Sequence, residues 1–216
     1  MTARQKIQRV RWCKSRLLWG LEDWKRILFS DESMFCVSYG NQGIRVWRMK
    51  QEAFNKECMK RSVKFAANVM VWSCMSANGT GRICIIKEKV NSEIYQDVLE
   101  HYMIPSSEDL FEDDFIFQQD LASPHTSKST KIWLKKHNIT GLPWPANSPD
   151  LNPIENLWGL VKKKLQEVAP TNKAELVESI KSVWATVEKK DCQKLVYSMQ
   201  NRLFAVTKAK GDATNY

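Results

Sequence analysis

Short apolar runs predict β-strands through the first two thirds of the chain. They cover residues 27–37, 44–47, 69–75, 83–86, 115–120 and 139–142. The run at 69–75 is apolar at nearly every position, which is typical of a strand buried on both faces. The turn cluster at 40–43 and the pair Asn78-Gly79 each predict a hairpin, and the polar stretch 48–64 predicts a loop.

Helical periodicity predicts most of the remaining elements. Three helices are predicted before the last strand: a basic helix over 2–19, a helix capped by Ser92 and ended by Pro105, and a helix from about Ser127 to His137. The acidic residues 106–114 predict a solvated loop. From 154 to 203 apolar residues recur with the 3.6-residue period of amphipathic helices, with Pro170 between the first two.

The order of these elements predicts an α/β fold. A three-stranded meander, then a helix, a strand, a helix and a strand, indicates a mixed sheet with helices on its faces, followed by a helical C-terminal part. We expect the polar tail, 207–216, to fray. A length of 216 residues with 43% hydrophobic residues suits one ordinary domain and argues against disorder.

The charge balance favours a polyanionic partner. The chain has 33 Lys and Arg against 24 Asp and Glu, a formal net charge of +9. Residues 1–26 carry eight basic residues and two acids, so this segment holds +6 of the excess. A short basic arm beside a mixed-charge domain suits phosphate contacts, although basic composition alone does not identify a nucleic-acid-binding protein.

Cysteine and histidine use narrows the class of protein. The six cysteines form no C-x-x-C pair and several lie in apolar runs, so we expect reduced, structural thiols in an intracellular protein. Three scattered histidines disfavour a zinc site. The sequence shows neither a signal peptide nor an apolar span of about 20 residues, so we expect no membrane partner.

Three carboxylates occupy positions suited to divalent metal ions. Asp31 and Asp120 each follow an apolar run, and Glu155 lies at the start of a predicted helix, with 34 residues between it and Asp120. Mg²⁺ prefers oxygen ligands, and two ions about 4 Å apart can activate an attacking oxygen and stabilise a leaving one. Acids at the ends of two neighbouring strands and on a packed helix would converge as such a site requires.

Each acid also fits a purely structural role. Asp31 could belong to a turn after its strand, and Asp120 could cap the turn that follows it. With Asn152 as N-cap and Pro153 at the first helical position, Glu155 is the third helical residue, which is the capping-box position. The pattern of acids alone therefore does not decide between structure and chemistry.

The residues around the acids resemble the signature blocks of the Tc/mariner transposases, and of their Tc-type branch in particular. The matching segments are Ile27–Glu32, Phe117–Asp120 with Pro124–Ser127, and Ser148–Trp158. The family's catalytic triad is Asp, Asp and Glu at the spacing found here, whereas the mariner branch typically has Asp at the third position. The resemblance covers nearly the whole chain.

The resemblance implies an RNase H-like catalytic domain over 27–206, with a basic helical arm at 1–26 and a polar tail at 207–216. It implies Asp31, Asp120 and Glu155 as catalytic residues and ligands of two Mg²⁺ or Mn²⁺ ions. The implied reaction is cut-and-paste DNA transposition. In that reaction water attacks a phosphodiester at the transposon end, and the freed 3′-OH then attacks target DNA at a TA dinucleotide.

The implied partners are double-stranded DNA, both transposon ends and target, and further copies of the chain. The family acts as homodimers or larger synaptic complexes, and a DNA substrate implies a nuclear location. Basic residues near the acids are the candidate DNA contacts: Lys128 and Lys131, His125, and Lys162 and Lys163. His125 also fits a structural turn residue, and the lysines also fit solvated helix faces.

Three features depart from the family pattern. Relatives carry paired helix-turn-helix domains before the catalytic domain, and no such pair fits in 26 residues, which puts recognition of transposon ends in question. Lys64 to Asn68 stand where relatives often have a glycine-rich strip. Leu121 replaces the Asn that usually follows the second Asp, and its side chain cannot hydrogen-bond.

Three functions remain open at this level, with the first favoured. They are a transposase catalytic domain, a domesticated or truncated non-catalytic DNA-binding remnant, and another RNase H-like nuclease. The main rival carboxylates form a cluster in the predicted acidic loop: Glu108, Asp109, Glu112, Asp113 and Asp114. Their clustering in a polar loop favours solvation over metal binding.

Overall fold

The computed structural model describes residues 1–37, 49–52 and 67–216. The strands are β1 (Ile27–Cys36), β2 (Asn68–Ser76), β3 (Gly79–Thr80), β4 (Cys84–Ile86), β5 (Ile116–Gln118) and β6 (Thr140–Gly141). The helices are α1 (Ala3–Lys14), α2 (Leu21–Lys25), α3 (Ser92–Val98), α4 (Ile104–Leu110), α5 (Ser123–Thr126), α6 (Lys128–Lys136), α7 (Pro153–Val168), α8 (Lys173–Ala185), α9 (Lys189–Tyr197) and α10 (Met199–Lys208). The predicted hairpin at 40–47 lies outside the described residues. So does the predicted loop at 48–64, apart from Met49 and a 3₁₀ turn at Lys50–Glu52.

The strands form one mixed sheet in the order β3-β2-β1-β5-β6, with β4 also paired to β2. β1 is antiparallel to β2 and parallel to β5. In the parallel register Phe29 pairs with Gln118, so Asp31 and Asp120 each lie two residues beyond this pair. The predicted mixed sheet is confirmed, and its register brings the two acids to the same edge.

Side chains alternate along the strands between two hydrophobic clusters, one on each face of the sheet. Phe29 on β1 and Val71 on β2 belong to the larger cluster, which includes residues of α7 to α10. Leu28 and Trp72 belong to the smaller cluster with residues of α3 and α6. The predicted burial of β2 on both faces is therefore confirmed. Within the described ranges, no helix is both long and apolar enough to cross a membrane.

Arg9 of the basic helix α1 is buried rather than turned to solvent. Its guanidinium makes a two-pronged contact with Asp150, with Nη1–Oδ1 at 2.8 Å and Nη2–Oδ2 at 2.6 Å. It also donates to Ser148 Oγ at 2.7 Å and, through Nε, to the Gly211 carbonyl at 2.9 Å. Thr214 donates to the same Asp150 carboxylate from its N–H and its hydroxyl, each at 3.0 Å. The expectation that the tail frays is wrong, because these contacts hold it.

The helix that begins at Ser92 does not end at Pro105, so that prediction is wrong. It continues through a π-helical turn, Leu99–Met103, into α4, and Pro105 lies in the first turn of α4. A proline inside an α-helix collides with the carbonyl four residues earlier, here that of His101, and the wider π-helical turn contains that residue. Residues 106–110 are thus helical, while the acids at 112–114 are exposed as predicted.

The last predicted helix, which contains the apolar residues from Cys192 to Leu203, is divided into α9 and α10 at Ser198. Its hydroxyl donates to the Leu195 carbonyl at 2.6 Å and accepts from Arg202 Nε at 2.9 Å. A serine that bonds the backbone in this way competes with the helical ladder, which explains the boundary between α9 and α10. Two short helices, α2 and α5, were not predicted, since each has five residues or fewer.

The Arg9–Asp150 pair leads to a prediction about stability and pH. Burial acts to raise the pKa of the Asp150 carboxyl, but hydrogen bonds from Arg9 and Thr214 outweigh burial and lower that pKa. The stabilisation is therefore present above the unfolded-state pKa of about 3.9 and is lost as pH falls through the folded-state value. Asp150→Asn should lower the free energy of unfolding by roughly 3–5 kcal/mol at neutral pH, since it leaves a buried guanidinium unpaired.

Denaturant titrations of both proteins from pH 7 to pH 2 measure this difference, which should narrow below about pH 4. Asp212→Asn is the matched control, because Asp212 forms an exposed ion pair with Lys6 on the same helix. That variant should lose much less stability. Equal losses in the two variants, or a difference that persists unchanged in acid, would contradict the assignment.

Candidate active site

Asp31 lies on β1, where its Cα faces Ser73 of β2. The indole Nε1–H of Trp158, from α7, donates to Asp31 Oδ2 at 3.2 Å. Burial is the main cause that raises the pKa of Asp31 well above its ordinary value, and the negative charges of Glu155 and Glu32 add to it. Asp31 is therefore a half-buried acid surrounded by other carboxylates, not a residue of an exposed turn.

Asp120 follows β5, and one of its oxygens is held by two donors. Oδ1 accepts the backbone N–H of Ala122 at 2.9 Å and lies 2.6 Å from His125 Nδ1. Burial acts to raise the pKa of Asp120, but the hydrogen bonds from His125 and Ala122 outweigh it, so the pKa is lowered. Asp120 is thus ionised at neutral pH, and its side chain is 53% exposed.

Glu155 lies in the first turn of α7 and does not act as a capping-box partner. The N–H of Asn152 donates to the Pro149 carbonyl at 2.9 Å, and the Asn152 side chain makes no capping hydrogen bond. Burial raises the pKa of Glu155; the charge of Lys162 opposes this and that of Asp120 adds to it. The structural alternative predicted for Glu155 is therefore absent from the fold.

The three carboxylates line one cleft of about 390 Å³. The rest of its wall is formed by Leu121, Ala122, Asn152 and the loop 144–149. The rival acids lie elsewhere: Glu108 and residues 112–114 line a separate cleft, and Asp109 pairs with Arg82 at 3.1 Å. The structure therefore brings together the three acids that the sequence singled out and separates them from the acidic cluster.

His125 is buried, and both of its ring nitrogens face carboxylates. Nδ1 contacts Asp120, and Nε2 lies 3.3 Å from Glu32 Oε1. The ring stacks on Tyr95 with centroids 3.9 Å apart. Burial acts to lower the pKa of His125, but the contacts with Asp120 and Glu32 outweigh it and raise the pKa to about 9. This arrangement favours a role within the protein over the DNA contact predicted for this residue.

Comparison with known proteins identifies the family. Residues 26–177 match the model of the DDE superfamily endonucleases. The chain belongs to this family. It is 34% identical to the Tcb2 transposase of Caenorhabditis briggsae and 31% identical to the Tc1 transposase of Caenorhabditis elegans, covering all of this chain and 80% of each relative. It is also 34% identical to the Tc3 transposase of Caenorhabditis elegans, of which it covers 65%.

Solved structures share the fold. The Mos1 transposase in a pre-cleavage transpososome aligns with a TM-score of 0.83 at 18% identity, over all of this chain and 65% of that one. The Mos1 catalytic domain solved with Raltegravir and Mg aligns with a TM-score of 0.77, over all of this chain and 99% of that one. The predictions of an RNase H-like fold and of a Tc-type transposase catalytic domain, an enzyme of the DNA-cleaving DDE class, are confirmed.

The candidate DNA-contacting lysines of the DDE endonuclease domain lie on α6 and on α7, the helix that carries Glu155. Lys128 and Lys131 are exposed on α6, and Lys163 is exposed on α7. Lys162 is half-buried, with Nζ 5.3 Å from the centre of the Phe35 ring. Contact of these residues with DNA stays a prediction.

Sequence reasoning missed three residues that support the DDE site. Glu32 and Tyr95 hold His125, and Asn152 donates from Nδ2 to the Ser30 carbonyl at 3.1 Å, joining the strand of Asp31 to the helix of Glu155. An acid inside an apolar strand run was the available signal for Glu32. Asn152 was assigned to capping, and Tyr95 carries no local signal.

The Asn152 contact predicts that the stability of the DDE domain depends on the N–H donor that Asn152 offers to the Ser30 carbonyl. Asn152 is buried, and an aspartate there would face the Ser30 carbonyl with an oxygen instead of an N–H donor. Asn152→Asp should lower the free energy of unfolding by about 1–3 kcal/mol, as expected for a buried carbonyl that loses its donor. Urea titration near neutral pH measures the loss.

Asn156→Asp is the matched control on the same helix. Asn156 uses its Oδ1 to accept from Arg202 Nη2 at 2.7 Å, so a carboxylate preserves that contact. The control should keep or increase stability. A loss as large as that of Asn152→Asp would show that the Ser30 contact is not the cause.

Proposed function

We propose that this chain cuts and joins DNA as the catalytic domain of a Tc-type transposase, with two divalent metal ions held by Asp31, Asp120 and Glu155. The observation that carries the proposal is the convergence of the three carboxylates, from β1, the end of β5 and the start of α7, on one cleft. Their positions on three separate elements are what a two-ion site requires. The similarity to the Tcb2 and Tc1 transposases supports the same assignment.

The donor set fits Mg²⁺ or Mn²⁺. All three side chains offer carboxylate oxygens, the donors that such ions prefer. The negative charges of Glu155 and Glu32 add to the effect of burial in raising the pKa of Asp31, and a cation among these carboxylates would offset their repulsion. The Mos1 catalytic domain has been solved with Mg and with Mn, which supports these two ions.

When bound, two such ions activate the attacking oxygen and stabilise the leaving oxygen at a phosphodiester. The role of the protein is to hold the metal-binding side chains and the substrate in place. Trp158 fixes one oxygen of Asp31, and His125 with Ala122 fixes one oxygen of Asp120. Leu121 and the loop 144–149 complete the wall beside which a phosphate would bind.

The proposed partner is double-stranded DNA, as transposon ends and as target, bound by a homodimer or a larger synaptic complex in the nucleus. Mos1 transposase solved as a paired-end complex with a transposon end and as a strand transfer complex supports DNA and an assembly of this kind. Light scattering of the chain with and without DNA ends tests the assembly. Imaging of the tagged chain tests the location.

Nicking of supercoiled plasmid at low salt tests the function directly. Wild-type protein should nick in Mg²⁺ or Mn²⁺ and not in EDTA. Asp31→Asn, Asp120→Asn and Glu155→Gln should each reduce nicking at least about 100-fold, because loss of even an outer partner of a metal ligand costs 10–100-fold. The fraction of plasmid nicked over time is the measurement.

Asp113→Asn is the control for nonspecific charge effects, since Asp113 lines the separate acidic cleft. It should nick as the wild type does. Nicking that persists in a triad variant or in EDTA would remove the proposal. A folded wild-type protein that binds DNA but never nicks would favour the non-catalytic remnant.

DNA binding should depend on salt through the exposed lysines. Lys128→Ala, Lys131→Ala and Lys163→Ala should each reduce the magnitude of the negative slope of log affinity against log salt by about 0.9. This is the counterion release expected for one phosphate contact. Fluorescence anisotropy with a labelled duplex from 50 to 200 mM salt measures the slope. Lys181→Ala is the control, because Lys181 pairs with Glu178 on α8 at 3.0 Å; an equal change there would argue for a diffuse charge effect.

A further inference from the structure

The carboxylate of Asp120 is held in one orientation although its side chain is half-exposed. Both donors, the Ala122 N–H and the His125 ring, converge on the same oxygen, Oδ1. Within the part of the chain that the structure describes, both donors to this carboxylate reach Oδ1, which leaves Oδ2 for a ligand in the cleft. A half-exposed aspartate without such donors would sample several rotamers.

The His125 ring is itself held from two further sides. On its face it stacks on Tyr95, which is buried, with an interplanar angle of 28°. On its far edge Nε2 lies 3.3 Å from Glu32 Oε1. Tyr95 donates its hydroxyl to Gln119 Oε1 at 2.7 Å, and Gln119 Nε2 donates to the His125 carbonyl at 3.3 Å. Tyr95, Gln119 and Glu32 thus restrict the position of the imidazole from its face, its backbone and its far edge.

The backbone that carries His125 is fixed as well. The His125 N–H donates to the Ala122 carbonyl at 3.0 Å, and Thr130 Oγ1 donates to the Pro124 carbonyl at 2.8 Å. His125 thereby joins two segments: β1, which carries Asp31 and Glu32, and the loop after β5, which carries Asp120. A shift of the ring would change the relation between the two acids.

We propose that His125 is a positioning residue for Asp120, and that Glu32 and Tyr95 hold the ring in place for this task. The inference rests on the proposed function, because it assigns Asp120 as a metal ligand. Through Nδ1–H the ring fixes Oδ1 and so presents Oδ2 to a divalent ion. His125 therefore acts through Asp120 and touches neither metal nor DNA.

Two substitutions separate the two edges of the ring. An asparagine side chain places its amide N–H₂ near the position of Nδ1, so His125→Asn can still donate to Asp120. A glutamine side chain places its amide near the position of Nε2, so His125→Gln can reach Glu32 and not Asp120. Both variants lose the stacking on Tyr95, so they are matched for the structural cost.

The test is Mn²⁺ binding to the purified chain without DNA, followed by the electron paramagnetic resonance signal of free Mn²⁺. His125→Ala and His125→Gln should weaken Mn²⁺ binding by about tenfold or more, the range expected for an outer partner of a metal ligand. His125→Asn should bind within about threefold of wild type. Thermal unfolding without metal records the structural cost of each variant separately.

Different results would contradict the positioning role of His125 and the proposed metal site at Asp120. Equal Mn²⁺ affinity in all His125 variants and wild type, or equal weakening by His125→Asn and His125→Gln, would overturn the positioning role. Asp120→Ala provides the reference, since it should weaken Mn²⁺ binding at least as much as His125→Ala. Unchanged binding in Asp120→Ala would instead remove the proposed metal site itself.

Discussion

The mutual repulsion of carboxylates in one cleft is the constraint on which the rest of the site depends. Asp31 lies half-buried beside Glu155 and Glu32, whose negative charges add to the effect of burial in raising the pKa of Asp31. The fold meets this repulsion by taking each acid from a different rigid element and giving each a partner: Trp158 for Asp31, His125 for Asp120 and the charge of Lys162 for Glu155. The hydrophobic clusters on both faces of the sheet supply the stability that such an arrangement requires.

Because the cleft is acidic and the chain as a whole is basic, the electrostatic force on a polyanion changes sign with its distance from the cleft. The net charge of +9 attracts a polyanion from afar, over roughly a Debye length of 8–10 Å beyond the surface. Within the cleft, however, uncompensated carboxylates repel phosphate. Close approach of a DNA backbone therefore depends on positive charge supplied locally, from cations or from exposed lysines such as Lys128 and Lys163.

Local patterns in the sequence predicted the features that depend on interactions between neighbouring residues along the chain. Strand runs, the Asn78-Gly79 hairpin and the positions of Asp31 and Asp120 were readable because they depend on neighbours along the chain. Pro105 misled because the π-helical turn that accommodates it has no sequence signature. The residues alone left Glu155 as a helix cap, and the resemblance to transposases was needed to assign it to the site. The contact of Arg9 with Asp150 and that of His125 with Glu32 were missed because the partners lie 141 and 93 residues apart.

The contact of Arg9 with Asp150 and Gly211 has a consequence for biosynthesis. Ser148, which Arg9 also holds, lies in the loop that walls the cleft, so this wall is secured by residues separated by as many as 202 positions. At a translation rate of about 5–20 residues per second, residue 9 waits roughly 10–40 s for residue 211 to be made. The full set of contacts around Arg9 is therefore completed only after all three acids of the cleft have been made.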